Sequence, residues 1–330
     1  MEAHTRQQRG ESIMSQLMDF LSTPIVDGFF SASMRLAIPI MLAAIGGIYN
    51  ERAGLSNIGM EGFMIVGSLF GFVIAHLTGS IAFSIFAILI LGAVLGLIMG
   101  YFEISLKVNQ VVFGISLNLF CVGLTGFLYR ILYGVGNSPR IDPLPAIAVP
   151  GLSAIPVIGP VFFKQTILSY LTYGIVIITA IVFKKTAWGL NIIACGENPE
   201  AAETLGVDVI RTRYIAIMIS GMLCTLGGAF LSTASTGLFV NNMTAGRGYI
   251  ALAILVIGRW SPWGVFGAAL LFGAADALQL RTQLFSFEIP YQFLVMLPYL
   301  LCMIVMIIFS KTSSAPAALG EPYERGGKKE

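Results

Sequence analysis

The groups in this sequence best suited to hold or move a small molecule are neutral amides and a few isolated charges set among apolar residues. Asn109, Gln110 and Asn118 fall close together in Lys107-Val-Asn-Gln-Val-Val-Phe-Gly-Ile-Ser-Leu-Asn118. An amide donates and accepts at once, which suits uncharged hydroxyl and base groups. Inside a membrane span an amide also serves as glue between helices, and for Asn118 that role stands beside ligand contact. Asn57 and Glu61 lie in a second polar stretch and Arg247 in a third. Asp276 is the clearest carboxylate inside an apolar run, a functional candidate by its setting. Arg281 near the same helix end makes a local ion pair the favoured account of it.

Catalytic constellations are not expected. His4 and His76 are isolated, and no Ser or Cys nucleophile sits in a recognisable setting. The phosphate-cradling pattern Gly-x4-Gly-Lys-Ser/Thr is absent, so ATP chemistry and a cofactor are not expected in this chain. Cys121, Cys195, Cys224 and Cys302 are scattered, which suggests neither a metal site nor a disulfide framework.

The elements that must position these groups are membrane helices. Of 330 residues, 56% are hydrophobic and 11% charged, against roughly 25% charged in a soluble chain. Net charge is +2 with no basic stripe, so nucleic acid is not an expected partner, whereas membrane lipid is. Apolar segments read at Met34–Tyr49, Ile58–Ala75, Ile81–Tyr101, Val108–Tyr133, Thr166–Phe183, Tyr214–Ser235, Tyr249–Ile257, Val265–Leu280 and Tyr291–Phe309. Most approach the ~20 residues that cross a bilayer, so an all-α polytopic membrane protein of about eight to ten spans is expected. Met34–Tyr49 and Tyr249–Ile257 are short. The expected layout is a surface segment over 1–26, a transmembrane domain over 27–310, and a disordered cytoplasmic tail over 311–330. Lys107, the basic residues between 184 and 213, Arg259 and the tail share one face if spans alternate, and the positive-inside rule makes that face cytoplasmic. The Pro- and Gly-rich connection Gly134–Phe163 then faces outward. The side on which the N-terminus lies stays open.

Between those spans the stretch 184–213 is a polar island. Asn198 suits a helix N-cap, Pro199 the first helical position, and Glu200 and Glu203 the first turn, while Gly206 can stop the helix. Two further stretches look like broken helices. In Ile45–Gly62 and Leu226–Gly248 an apolar segment reaches Gly-Gly, a polar loop follows, and a charged residue plus Gly opens the next run. Glu61-Gly62 and Arg247-Gly248 then occupy matching places in an inverted repeat, the pattern that points to a transport site. Ordinary surface loops with glycine turns would read the same way. If the repeat holds, Glu61 and Arg247 could pair as a gate, in this chain or against a sister permease.

Four motifs in order resemble permeases of the nucleoside and simple-sugar branch of the ribose/branched-chain amino acid ABC permease superfamily. They are Glu51–Gly62, Asn109–Asn118, Gly196-Glu-Asn-Pro-Glu-Ala-Ala202 closed by Gly206, and Gly246–Ala253 followed by Gly258-Arg-Trp260. Glu200-Ala201-Ala202 with Gly206 also resembles the coupling-loop signature of ABC importers, without its downstream apolar-Leu-Pro part. The resemblance covers about Arg35 to Ile308. It implies a membrane subunit of a bacterial inner-membrane importer that translocates a nucleoside or simple sugar. Its implied partners are a second homologous permease, a cytoplasmic ATPase carrying ATP and Mg, and an extracytoplasmic solute-binding lipoprotein. Glu197, Asn198, Glu200, Ala201, Ala202 and Gly206 would couple to the ATPase. Asn57, Glu61, Asn109, Gln110, Asn118 and Arg247 would lie along the solute path. A secondary transporter for a small polar solute is the rival, and would have to build its ion relay from Asp276 and Glu61.

Overall fold

The computed structural model describes residues 24–134, 136, 139–155, 158–282 and 315–325, with isolated helical positions between 296 and 307. Most of the expected surface segment 1–26, most of the run Tyr291–Phe309, and His4, Cys302, Lys328 and Lys329 lie outside the described residues. The helices are α1 (Pro24–Arg52), α2 (Met60–Thr78), α3 (Ile81–Gly100), α4 (Gln110–Tyr133), α5 (Ile158–Phe162) and α6 (Ile167–Lys185). They continue with α7 (Ala187–Glu197), α8 (Pro199–Thr204), α9 (Val209–Phe230), α10 (Arg247–Ile257) and α11 (Pro262–Thr282). Two of them, α3 and α9, run on into π-turns at Tyr101–Ser105 and Leu231–Thr236.

Eight of the nine expected apolar segments fall on these helices, so the chain is an all-α polytopic membrane protein. Among the described residues seven helices are long and apolar enough to cross a membrane: α1, α2, α3, α4, α6, α9 and α11. The short reading of the first is corrected. It runs for 29 residues through Pro39, with Arg35 on its exposed side. By contrast α10 has 11 residues, roughly 16 Å at 1.5 Å per residue, about half of a bilayer core.

The bundle is built around α9, which packs most extensively on α3, α1 and α2. Here a second expectation is corrected. Gly46-Gly47 and Gly227-Gly228 do not end their segments; they lie inside α1 and α9, where neighbouring backbone (the Leu255 side chain at Gly47) approaches too closely for a side chain. Without a hydrophobic drive between helices in lipid, close packing at small residues holds them together.

The two ends of the bundle differ. One is covered by the connection from α4 to α6, whose strands Ala146–Ala148 and Lys164–Thr166 pair antiparallel. Backbone bonds from Ile141 to Gly237 (2.8 Å) and from Leu144 to Thr233 (3.1 Å) seat it on the end of α9. The other end carries α7, α8, Lys107, Arg52, Arg213 and Arg259, which gathers the basic residues as the charge pattern requires. Disorder expected from residue 311 is corrected for 315–325. That segment folds back on this basic end, with Ala318 buried against it.

Candidate functional site

The broken stretches form one site. Arg213 at the start of α9 bonds through Nε to the Ala53 carbonyl (3.0 Å), and Asn57 bonds through Nδ2 to Ser220 Oγ (2.9 Å). Residues 53–59 therefore climb from the basic end to the level of Ser220, well inside the 28-residue span Val209–Thr236. The second break, 237–246, descends from the opposite end to the start of α10. Two helix N-termini then meet deep in the bundle, that of α2 at Met60 and that of α10 at Arg247.

Glu61 joins them. Its Oε1 accepts from Thr244 Oγ1 (2.5 Å) and Gly246 N (2.9 Å), and its Oε2 from Gly248 N (2.7 Å). A carboxylate from the first turn of α2 thus caps α10, where orphan backbone donors and the helix dipole favour negative charge. Gly248 is required here, because a side chain would strike the Glu61 backbone. Within this chain the expected Glu61–Arg247 pair is not formed. Arg247 turns the other way, bonding through Nη1 to the Met243 and Thr244 carbonyls and facing Asp276 at 3.9 Å. The Asp276–Arg281 pairing is corrected with it, since Arg281 lies over the Phe29 ring. The reason is supply: capping donors satisfy Glu61 fully, which leaves Asp276 as the carboxylate within reach of Arg247.

The amides are structural joints in this state. Asn118 Oδ1 accepts from Gly62 N (2.7 Å), while its Nδ2 donates to the Ile58 carbonyl (2.8 Å) and the Tyr249 hydroxyl (3.0 Å). Gln110 Oε1 accepts from Ser56 N (2.7 Å), and Asn109 caps α4 at Val111 and Val112. Asn57, Glu61, Gln110 and Asn118 are buried, whereas Asn109 is exposed. The motifs Glu51–Gly62 and Gly246–Trp260 also meet at their other ends. Trp260 Nε1 donates to the Glu51 carboxylate, and Arg52 reaches the Arg259 and Trp260 carbonyls at 3.4 Å. Sequence reasoning missed Thr244, Tyr249 and Ser220, whose hydroxyls carry no local signal. Arg247 and Asp276 keep 21% and 14% of their side chains open, and Tyr249, on the side of α10 toward Asn118, is exposed.

At the basic end the local pattern is built as the residues dictate. Three N-caps follow in succession: Thr186 to Gly189 N (3.1 Å), Asn198 to Ala201 N (3.0 Å) and Asp208 to Arg211 N (3.0 Å). They start α7, α8 and α9. Pro199 opens α8 and Gly206 closes its turn at φ +86°, a left-handed conformation open to glycine at little cost. Ala202 is buried against Cys195 and Val209, and burial pushes the Cys195 thiol up from its ordinary range. Glu197, Asn198, Glu200 and Ala201 face outward. So does Leu205, 85% exposed at the tip, an apolar side chain without cover on an otherwise polar knob.

Comparison with known proteins gives the chain a family. Residues 29–310 match the family model described as branched-chain amino acid transport system / permease component. The chain is 37% identical to the guanosine ABC transporter permease protein NupQ of Bacillus subtilis, over 89% of this chain and 96% of that one. It is 36% identical to the nucleoside ABC transporter permease protein NupC of Lactococcus lactis, over 86% and 93%. It is 39% identical over 78% and 79% to TsgC13 of Haloferax volcanii, provisionally named a glucose ABC transporter permease. No solved structure matches significantly.

Proposed function

The chain belongs to the branched-chain amino acid transport permease family as an ABC transporter permease subunit, and from that premise we propose that it passes a nucleoside inward across the bacterial inner membrane. The observation that carries the mechanism is the knob of α8. Six residues make no stable helix alone in water, yet this one is capped, stopped and seated, and it offers Leu205 to a partner. A cytoplasmic ATPase binding ATP and Mg would grip that knob and drive the bundle. The solute would arrive on an extracytoplasmic binding lipoprotein.

A second homologous permease completes the path in this reading. The Arg247–Asp276 pair leaves a polar face partly open at the depth where α10 begins. Ionisable groups at such depth face a bundle interior or water rather than lipid. That face therefore borders the solute path, covered on its far side by the sister subunit. Neutral amides behind it hold the path's wall in place. A simple sugar is the second reading, favoured by the likeness to TsgC13.

The test is uptake by the assembled transporter in proteoliposomes, with guanosine and glucose as competing labelled solutes. Guanosine uptake that needs ATP and the binding protein supports the proposal, and glucose uptake alone replaces nucleoside with sugar. Solute flux without ATPase would overturn the importer reading of this chain. Orientation is read separately, by an impermeant thiol reagent on cells carrying a single cysteine at Ser153 or Thr204. Labelling from outside is expected only at Ser153.

A further inference from the structure

We propose that residues 315–325 form a strap that completes the surface on which the ATPase docks, so that coupling requires the strap to be seated; this rests on the coupling role of α8 argued above. The strap crosses the junction of three helix ends. Ala318 N donates to the Gly196 carbonyl at the end of α7 (2.9 Å), and Gly320 N to the Gly54 carbonyl just past α1 (3.0 Å). Beyond them the chain passes Arg213, the largest fully buried side chain among the described residues. Its guanidinium meets two carbonyls, Ala53 at Nε and Glu321 at Nη1 (3.3 Å), and lies 5.8 Å from the Tyr323 ring. A buried cation needs partners, and the strap supplies two of these three.

The strap then hooks the coupling helix itself. Both the Tyr323 hydroxyl and the Arg325 guanidinium (2.7 Å) bind the carboxylate of Glu203 in α8, while Glu324 pairs with Lys107 in the α3–α4 turn. Tyr323 also packs on the small apolar cluster beneath α8. A cleft lined by Glu203, Gly206, Asp208, Tyr323 and Arg325 opens beside the knob, and the strap forms one wall of it. The composite surface is therefore Leu205 as an apolar tip, a rim of Glu197, Glu200 and Asp208, and a cleft that exists only with the strap seated. It fits a partner groove with an apolar floor and basic edges. A force applied to the knob passes through Glu203 and the strap to Arg213 and the ends of α1 and α9.

The experiment compares the complete transporter carrying wild-type chain, Tyr323→Ala with Arg325→Ala, and a chain ended at residue 314. Uptake, ATPase recovery and the stimulation of ATP hydrolysis by loaded binding protein are measured at equal membrane abundance, with Gly206→Val as a control. Uptake is expected to fall at least tenfold in both strap variants, and stimulation to vanish in the double substitution while ATPase is still recovered. Tyr323→Phe, which keeps the ring, is expected to retain more than half of the uptake. Normal uptake and stimulation in the double substitution overturn the strap, whether or not the shortened chain inserts. Failure of Gly206→Val to impair uptake would instead overturn the coupling role of α8.

Discussion

Among the helix starts capped with side-chain oxygen, those of α8 and α10 are built in opposite ways. The start of α8 is capped by its own preceding residue, Asn198, in an exposed loop. The start of α10 is capped by Glu61, which lies far back in the chain and reaches it only when two broken stretches meet inside the bundle. Water can replace the first cap. Nothing can replace the second, because the orphan donors of α10 are buried where an unmade bond keeps its full desolvation cost. One construction makes a replaceable outer part, and the other makes a fixed hub inside the bundle.

The sharpest way to break this contrast is Glu61→Ala. It strands Thr244, Gly246 N and Gly248 N, each at about 1–3 kcal/mol, so the chain is expected to fail to accumulate or to inactivate at much lower temperature in detergent. Glu61→Asp should rescue little, since a side chain shorter by one carbon cannot span both oxygens' partners. Wild-type thermal behaviour in Glu61→Ala would mean that α10 caps itself.

Asp276→Asn comes next. It removes the counter-charge of Arg247 but leaves both carbonyl bonds of that guanidinium, and the 3.9 Å separation marks a weak pair. Uptake should fall several-fold while thermal inactivation shifts by only a few degrees, the signature of a path residue rather than a hub. A large stability loss with uptake per folded molecule unchanged would move Asp276 to the structural side.

Asn198→Ala should cost about 1 kcal/mol of local helix stability. Hydrogen exchange over 198–206 is expected to quicken roughly fivefold, with the bundle untouched, and Asn198→Ser should restore it. Spread of faster exchange into α2 or α10 would show that the two regions are not independent.

The smallest effect is a pH dependence of the strap. Partial burial and then the adjoining Glu203 carboxylate push the Tyr323 phenol up to about 12. A raised acid favours the docked state below the ordinary tyrosine range and loses that contribution as pH rises through about 12. A spin label at Glu321 should therefore gain mobility above about pH 10, and Tyr323→Phe should abolish that step. Acidification works through Glu324, whose carboxyl is held below its usual range by its hydrogen bond and charge contact with Lys107. That contact persists through neutral pH and is lost as pH falls through the depressed value.

The helices, the polar island and the family motifs were legible because each is written in contiguous residues. Asn198, Pro199 and Gly206 state a capped turn within nine positions, and the structure builds that turn. The Gly-Gly pairs misled because a glycine breaks a helix in water but brings helices together in lipid, and the sequence does not say which neighbour arrives. The tail misled for a related reason. Its composition reads as solvated, yet Ala318, Tyr323 and Arg325 are held by Gly196, Arg213 and Glu203, none of them near in sequence.

Hydropathy and local caps, both short-range quantities, determined by themselves that this chain spans a membrane and where a capped knob protrudes. Only the tertiary structure decided the partners of the charges. Glu61 and Arg247 stand at comparable helix starts and attract each other on paper. The carboxylate was taken by three donors that α10 could not leave unpaired in the bundle, and the guanidinium was left to Asp276. In a medium without water, every backbone donor must find an acceptor within the protein. That demand is set by how the segments meet, which no local stretch records.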